Sequence, residues 1–245
     1  MKILAVGDTH GETTPLKIAK DKISQVDRVI FLGDYVDSFD SNWCSKQKST
    51  LEQIISFKES KPDKIFLLFG NHDLSYLSDP HVSGHQNVAH KSIHDFFKDY
   101  LDYFDVVHVQ DNWIFSHAGI SSTWLSSTFY LPEKLDLYSF NLNNINKRFH
   151  EGKNDISKFE DFNHLSFNPY GDSPIEGPLW IRPESLITCL PSMNKNQCVG
   201  HTELQDSLNR IYENEGNKFV FVDSRKRNFY AIIDTATDEV IIEHK

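Results

Sequence analysis

The sequence predicts an α/β fold of two packed β-sheets flanked by helices, with a mostly helical cover. Three observations carry that expectation. Apolar runs alternate with amphipathic stretches from Lys2 to Phe69 in the order strand, helix, strand, helix, strand, the pattern of a βαβαβ unit with a parallel sheet and right-handed crossovers. Strand-like segments return in the last third of the chain, as a second sheet packed on the first. Five apolar runs also end abruptly in a glycine or histidine turn bearing Asp, Asn or His, which packing alone does not require.

Lys2 to Val6 reads as the first strand and Thr13 to Ser24 as a short helix, with Pro15 tolerated in a first turn whose N–H groups lack partners anyway. Arg28 to Leu32 is the second strand. A loop from Ser38 to Lys46 carries Trp43, and Lys48 to Ser60 is an amphipathic helix with Leu51, Ile54, Ile55 and Phe57 for its apolar face. Lys64 to Phe69 is the third strand. A helix is expected from Val88 to Tyr103, then a hairpin of Val106 to Val109 and Trp113 to Ser116 turning at Asp111-Asn112. Residues 121–178 are Asn-rich and aromatic without strand periodicity, and read as a helical insertion over the site, inside a single domain spanning residues 1–245. Strands are then expected at Cys198 to Gly200, Lys218 to Val222, Asn228 to Ile233 and Glu239 to Glu243, with turns at Ser224-Arg225-Lys226 and Thr235-Ala236-Thr237.

Composition excludes some function classes. A formal charge of -10 argues against bulk electrostatic binding of nucleic acid, which needs clustered Lys and Arg to replace phosphate counterions. No apolar run approaches the ~20 residues that span a bilayer, and the short stretch before the first motif leaves no room for a secretory signal. Cys44, Cys189 and Cys198 are odd in number and unpatterned, as expected of reduced thiols in a cytoplasmic protein.

In an open parallel sheet the carboxyl ends of the strands share one edge, where the loops form the binding crevice. Gly7-Asp8-Thr9-His10, Gly33-Asp34-Tyr35-Val36-Asp37 and Gly70-Asn71-His72-Asp73 therefore converge, and His117-Ala118-Gly119 and Gly200-His201-Thr202 repeat the construction downstream. The donors on offer are hard carboxylate and carboxamide oxygens with borderline imidazole nitrogens, suited to Mn, Fe, Zn or Co and not to a thiolate-bound structural ion. A carboxylate can bridge two cations, and a pair about 3.5–4 Å apart clamps a phosphoryl group. Taken singly, each Asp or Asn after a strand could equally cap a helix or close a turn, and the glycines could simply permit those turns.

These five motifs, in this order and spacing, resemble the calcineurin-like metallophosphoesterase superfamily, and within it the serine/threonine phosphoprotein phosphatases of bacterial and phage type. The resemblance implies a four-layer αββα arrangement of mixed sheets and a hydrolase using two metal ions, manganese above all. It implies that Asp8 and His10 hold the first ion, Asp34 bridges, and Asn71, His117 and His201 hold the second. It further implies that a metal-activated hydroxide attacks, that His72 protonates the leaving oxygen while Asp37 orients it, and that Arg182 and Asn71 contact the phosphate. The substrate would be a phosphorylated protein or a nucleotide. Two departures stand out: Ser38 and Phe69 occupy positions where related phosphatases carry phosphate-binding arginines, which gives weight to a phosphodiester or dinucleoside polyphosphate substrate, or to a non-catalytic scaffold that binds a phosphorylated partner.

Other residues carry a plainer reading. His72 could be structural and Arg182 an ordinary ion-pair arginine. His81, His85, His90 and His94 suggest a zinc site, but Pro80 and Gly84 break the helix that would align the first pair, so solvated histidines are expected. Trp43, Trp124, Phe129 and Tyr130 could stack on a base, yet aromatics in a helical cover usually form its own core.

Overall fold

Strands β1 (Lys2–Val6), β2 (Arg28–Phe31), β3 (Ile65–Leu68) and β4 (Phe104–Asp105) run parallel and side by side in the computed structural model. The structure describes all residues except 39–43, 80, 131–139, 164–171, 189–194, 206–208 and 224–227. Helices α1 (Thr14–Lys22) and α2 (Cys44–Ser60) make the crossovers, α3 (Asn71–Leu74) follows β3, and α4 (His90–Tyr100) leads through a short 3-10 turn into β4. The register sets Val6 beside Phe31 and Phe31 beside Leu67, so the loops after β1, β2 and β3 leave the sheet at one level.

The second sheet holds β5 (Val107–Gln110), β6 (Trp113–Ser116), β7 (Asn196–Val199), β9 (Asn217–Phe221) and β8 (Ile211–Asn214), in that order. β5 and β6 form the expected antiparallel hairpin, whereas β6, β7 and β9 are parallel. The second sheet is therefore mixed, and each sheet exposes an edge of carboxyl-terminal strand ends. The strands after β9 depart from expectation: β10 (Tyr230–Asp234) and β11 (Glu239–Glu243) join the first sheet, with β10 antiparallel to β1. Sequence periodicity shows which face of a strand is apolar but not which sheet it completes; here β10 closes the otherwise open edge of β1.

Period-2 alternation sorts the core into layers. Ile3 and Ala5 of β1, Ile30 of β2 and Leu68 of β3 meet Trp113, Phe115, Cys198 and Val220 between the sheets. Leu4, Val6, Val29, Phe31 and Leu67 face the other way, against α1, α2 and α4. On the outer side of the second sheet, Val199, Phe219 and Phe221 pack with Leu186 of α7 (Pro183–Thr188). Cys198 carries a buried free thiol.

Within residues 121–178 the described elements are α5 (Ser122–Thr128), α6 (Asn143–Glu151) and a 3-10 stretch, Ile156–Phe162. Trp124, Phe149, Phe159 and Phe162 are buried in a common core, as expected of aromatics in a helical cover, while Tyr130 is exposed. Asn146 of α6 ties this segment to the sheet: its Oδ1 accepts from the N–H groups of Val106 and Val107, and its Nδ2 donates to the Val107 carbonyl. Among the described residues no helix is long and apolar enough to cross a membrane. Trp43, Pro80, Cys189 and the turn at 224–226 lie outside the described residues.

Candidate metal centre

The strand ends deliver their side chains to one pocket. Asp8 and His10 come from the loop after β1, Asp34 and Asp37 from that after β2, Asn71 and His72 from the start of α3, His117 from the end of β6 and His201 from the end of β7. The backbone locks these loops together: the Asp34 carbonyl accepts from the N–H groups of Thr9 and His10, and His117 accepts from Gly200. The His201 N–H reaches Asp8 Oδ1 at 3.1 Å. Gly33 and Gly70 cross so closely that a Cβ on Gly33 would lie 2.6 Å from the Gly70 nitrogen, and one on Gly70 would lie 2.1 Å from Asp34 Oδ1.

Four of these residues have left-handed backbone: His10 at φ 43°, Asp34 at 53°, Asp37 at 63° and His201 at 63°. Such conformations cost on the order of 1–3 kcal/mol each outside glycine and persist where the surroundings force them, most often at functional sites.

Carbonyl partners determine which nitrogen of each imidazole carries the proton. A carbonyl only accepts, so His10 donates from Nδ1 to Val36 at 2.8 Å, and His117 from Nδ1 to Leu32 at 2.9 Å. His201 donates from Nε2 to Trp180 at 3.1 Å. The remaining nitrogen of each ring is then a lone pair turned inward. His117 Nε2 lies 3.0 Å from Asn71 Oδ1, 3.2 Å from His201 Nδ1 and 3.5 Å from Asp34 Oδ2. That same Asp34 oxygen is 3.6 Å from His10 Nε2, which is 3.8 Å from Asp8 Oδ2. Asp34 thus belongs to two groups of potential ligands, one with His10 and His72, the other with His117 and His201. A buried set of acceptors facing one another is repulsive unless a cation lies among them, and this donor set fits divalent metal ions.

Electrostatics points the same way. Burial pushes His117 towards the neutral form, and it does so more strongly for His201, where the neighbouring His117 adds to it. For Asp34 burial acts upward, but attraction to His117, His72, His10 and His201 outweighs it and holds the carboxyl below the ordinary range.

His72 sits at the rim. Its Nδ1 is 3.0 Å from Asp37 Oδ2, and its Nε2 is 3.9 Å from Asp34 Oδ2. Asp37 is held in turn by the Tyr76 hydroxyl, which donates to Oδ1, and its own N–H donates to Gln47 Oε1 at 2.9 Å. Sequence reasoning missed Tyr76 and Gln47, which no local motif marks. It also passed over Asp73, the last residue of Gly70-Asn71-His72-Asp73. Fully buried, Asp73 accepts from the N–H groups of Asp34, Tyr35 and Gly70 at 2.8, 2.8 and 2.9 Å and so splices the second loop to the third. Burial, and then the Asp34 charge, push its carboxyl up against those three donors.

Arg182 is not hydrogen-bonded into this group. It acts on His201 through space, opposing its protonation, and its buried Nε has no acceptor among the described residues. The two substituted positions supply no charge: Phe69 is packed among Phe97, Phe104 and Phe149, and Ser38 is buried.

A family profile described as calcineurin-like phosphoesterase matches residues 1–169. Similar solved structures include a cold-active protein-tyrosine phosphatase of a psychrophilic Shewanella, 18% identical, with 99% of this chain and 80% of that chain covered and a TM-score of 0.64. A protein serine/threonine phosphatase from Saccharomyces cerevisiae is 17% identical over 100% of this chain and 79% of its own, with a TM-score of 0.58. A metallophosphoesterase from Sphaerobacter thermophilus is 13% identical over 100% and 88%, with a TM-score of 0.54. At such identities the likeness is one of fold. The sequence has no match among curated proteins. With a family match over most of its length, one that takes in every strand end of the pocket except that bearing His201, the chain belongs to the calcineurin-like phosphoesterases, a family of metal-dependent hydrolases of phosphate esters.

Proposed function

We propose that the chain hydrolyses a phosphate ester at a dinuclear metal centre. Asp8 and His10 would hold one ion, Asn71, His117 and His201 the other, and Asp34 both. The observation that carries this reading is the single Asp34 oxygen standing 3.6 Å from His10 Nε2 and 3.5 Å from His117 Nε2, between two groups of inward lone pairs. Bound ions supply Lewis-acid stabilisation of the phosphoryl oxygens and an activated water. The donor set suits manganese, with iron, zinc or cobalt also compatible.

The chain's own residues do the rest. His72, donating from Nδ1 to Asp37, keeps Nε2 for the leaving oxygen, and the Asp37 carboxylate favours the cationic ring that can give up a proton there. Tyr76 and Gln47 fix the Asp37 carboxylate and backbone, so the acid cannot swing away. A module that only bound a phosphorylated partner would have no use for this chain of hydrogen bonds. Arg182, close enough to His201 to oppose its protonation, is the phosphate contact, and Asn71 takes part with it. A reducing cytoplasmic compartment suits the buried thiol of Cys198.

Phosphorylated proteins and nucleotides both fit this centre. A second reading, hydrolysis of phosphodiesters, is favoured by Phe69 and Ser38: a singly charged diester needs less cationic help than a dianionic monoester. The test is manganese-dependent hydrolysis of p-nitrophenyl phosphate and of its bis-ester by wild type and Asp34→Asn, with manganese counted by equilibrium dialysis. Asp34→Asn is expected to lose both activity and stoichiometric manganese. Wild-type protein that binds manganese yet cleaves no mono-, di- or pyrophosphate ester overturns the reading.

A further inference from the structure

Outside the pocket of Asp34, a second group of imidazoles comes together. His81, His85 and His90 are exposed or half-buried, in line with the expected solvated histidines, yet their potential ligand nitrogens all lie within 4.8 Å of one another. No helix aligns His81 with His85, as anticipated. The loop does so instead, turning at Gly84 (φ 84°), a backbone state that disfavours any side chain, so that the two rings stack with centroids 3.9 Å apart. His90, at the start of α4, then closes the group, its Nδ1 3.0 Å from His85 Nε2.

We propose that His81, His85 and His90 form a third cation site, separate from the dinuclear centre, that takes a zinc-class divalent ion. Hydrogen bonding prepares the site. The Ser75 hydroxyl has one proton and donates it to the His72 carbonyl at 2.8 Å, so at His85 Nδ1, 3.1 Å away, it accepts. His85 Nδ1 therefore carries the ring proton and Nε2, facing His90, is a lone pair. This is the outer-shell arrangement that orients histidine on a metal. Two nitrogens bonded to one tetrahedral zinc at about 2.0–2.1 Å lie roughly 3.3 Å apart, close to the observed 3.0 Å. Without an ion His90 Nδ1–H donates to His85 Nε2; with one, that proton moves to His90 Nε2 and no net proton is released. His81, with 46% of its side chain exposed, is free to turn from its stacked position onto the ion. Three imidazoles leave a fourth position for water, with the Asp79 carboxylate at the rim, 3.7 Å from His81 Nε2.

The site is coupled to the first. The Tyr76 ring stacks on His85 at 4.2 Å, and its hydroxyl accepts from the Gln86 N–H at 2.9 Å while donating to Asp37. An ion on the three histidines thus braces Tyr76, a positioning residue for the Asp37–His72 pair.

The test counts zinc per chain after dialysis against a fixed free zinc concentration, in wild type, His81→Ala and His90→Ala, each also in the Asp34→Asn background. Each histidine variant is expected to bind one zinc fewer than its parent in both backgrounds, and zinc is expected to raise the melting temperature of Asp34→Asn but not of Asp34→Asn/His90→Ala. Because Asp34→Asn removes only the dinuclear ions, failure of that centre and failure of the third site read out separately. His81 is the most exposed of the three and gives up only its ring contacts with His85 and His90 on truncation, which keeps the count interpretable if His90→Ala folds poorly. Equal zinc counts in wild type and His81→Ala, or no zinc-dependent melting shift in Asp34→Asn, overturn the proposal.

Discussion

His72 illustrates how much chemistry one side chain draws from neighbours far away in sequence. Its orientation depends on Asp37, which depends on Tyr76 and Gln47, residues contributed by three different loops or helices. If His72 protonates the leaving oxygen, its loss matters in proportion to how badly that oxygen needs a proton. His72→Asn is expected to lower kcat/KM by ~10²–10⁴-fold for an alkyl phosphate but by far less for p-nitrophenyl phosphate, whose phenolate leaves unaided. Equal losses on both substrates would mean that the residue only shapes the pocket. The motifs themselves were legible because carboxylates and imidazoles after strands have no packing reason to be there. Tyr76 was not legible, since a tyrosine on the turn after α3 looks like any core aromatic until its hydroxyl is seen on Asp37.

At the scale of elements, the site depends on one loop crossing made by two glycines, Gly33 and Gly70. Gly70 lies against Asp34, so a methyl group there would collide with the carboxylate oxygen at 2.1 Å. Gly70→Ala is expected to destabilise the fold by about 1–3 kcal/mol, the usual cost of overpacking. More tellingly, it should weaken manganese binding disproportionately, because the displaced group is Asp34 rather than a core side chain. Denaturant unfolding with parallel manganese titration checks this; a stability loss with unchanged manganese affinity would contradict it. Elements of a few residues, α3, β4 and β8, escaped the sequence reading because they are too short to display a period. Their positions come from partners: β4 exists because Leu67 and Leu68 of β3 offer it a ladder.

For the whole molecule, the two sheets meet at a polar junction that titrates. Arg28 of β2 donates to His108 Nε2 at 3.2 Å and to Gln110 Oε1 at 2.8 Å on β5. Burial, and then the Arg28 charge, lower the His108 pKa from 6.5 to about 4. The unfolded chain therefore binds a proton between roughly pH 6.5 and 4 that the folded chain refuses, and the unfolding free energy falls as pH drops through that window, while above it the junction's contribution is complete. The shift corresponds to roughly 3 kcal/mol as an upper bound. Urea unfolding at pH 7.5 and pH 5 should show a smaller pH-dependent loss in His108→Gln than in wild type; identical losses would remove this junction from the account.

Read alone, the sequence determined the α/β class, the parallel βαβαβ start, the β5–β6 hairpin and the pocket residues from Asp8 to His201, because hydrophobic period and strand-end polarity are local properties that one chain segment displays by itself. Tertiary structure alone decided that β10 and β11 complete the first sheet, that Asp73 and Tyr76 support the pocket, and that His81, His85 and His90 share one place. Edge closure, buried hydrogen bonds and ring contacts depend on which segments become neighbours in space, and neighbourhood is set by the packed chain as a whole.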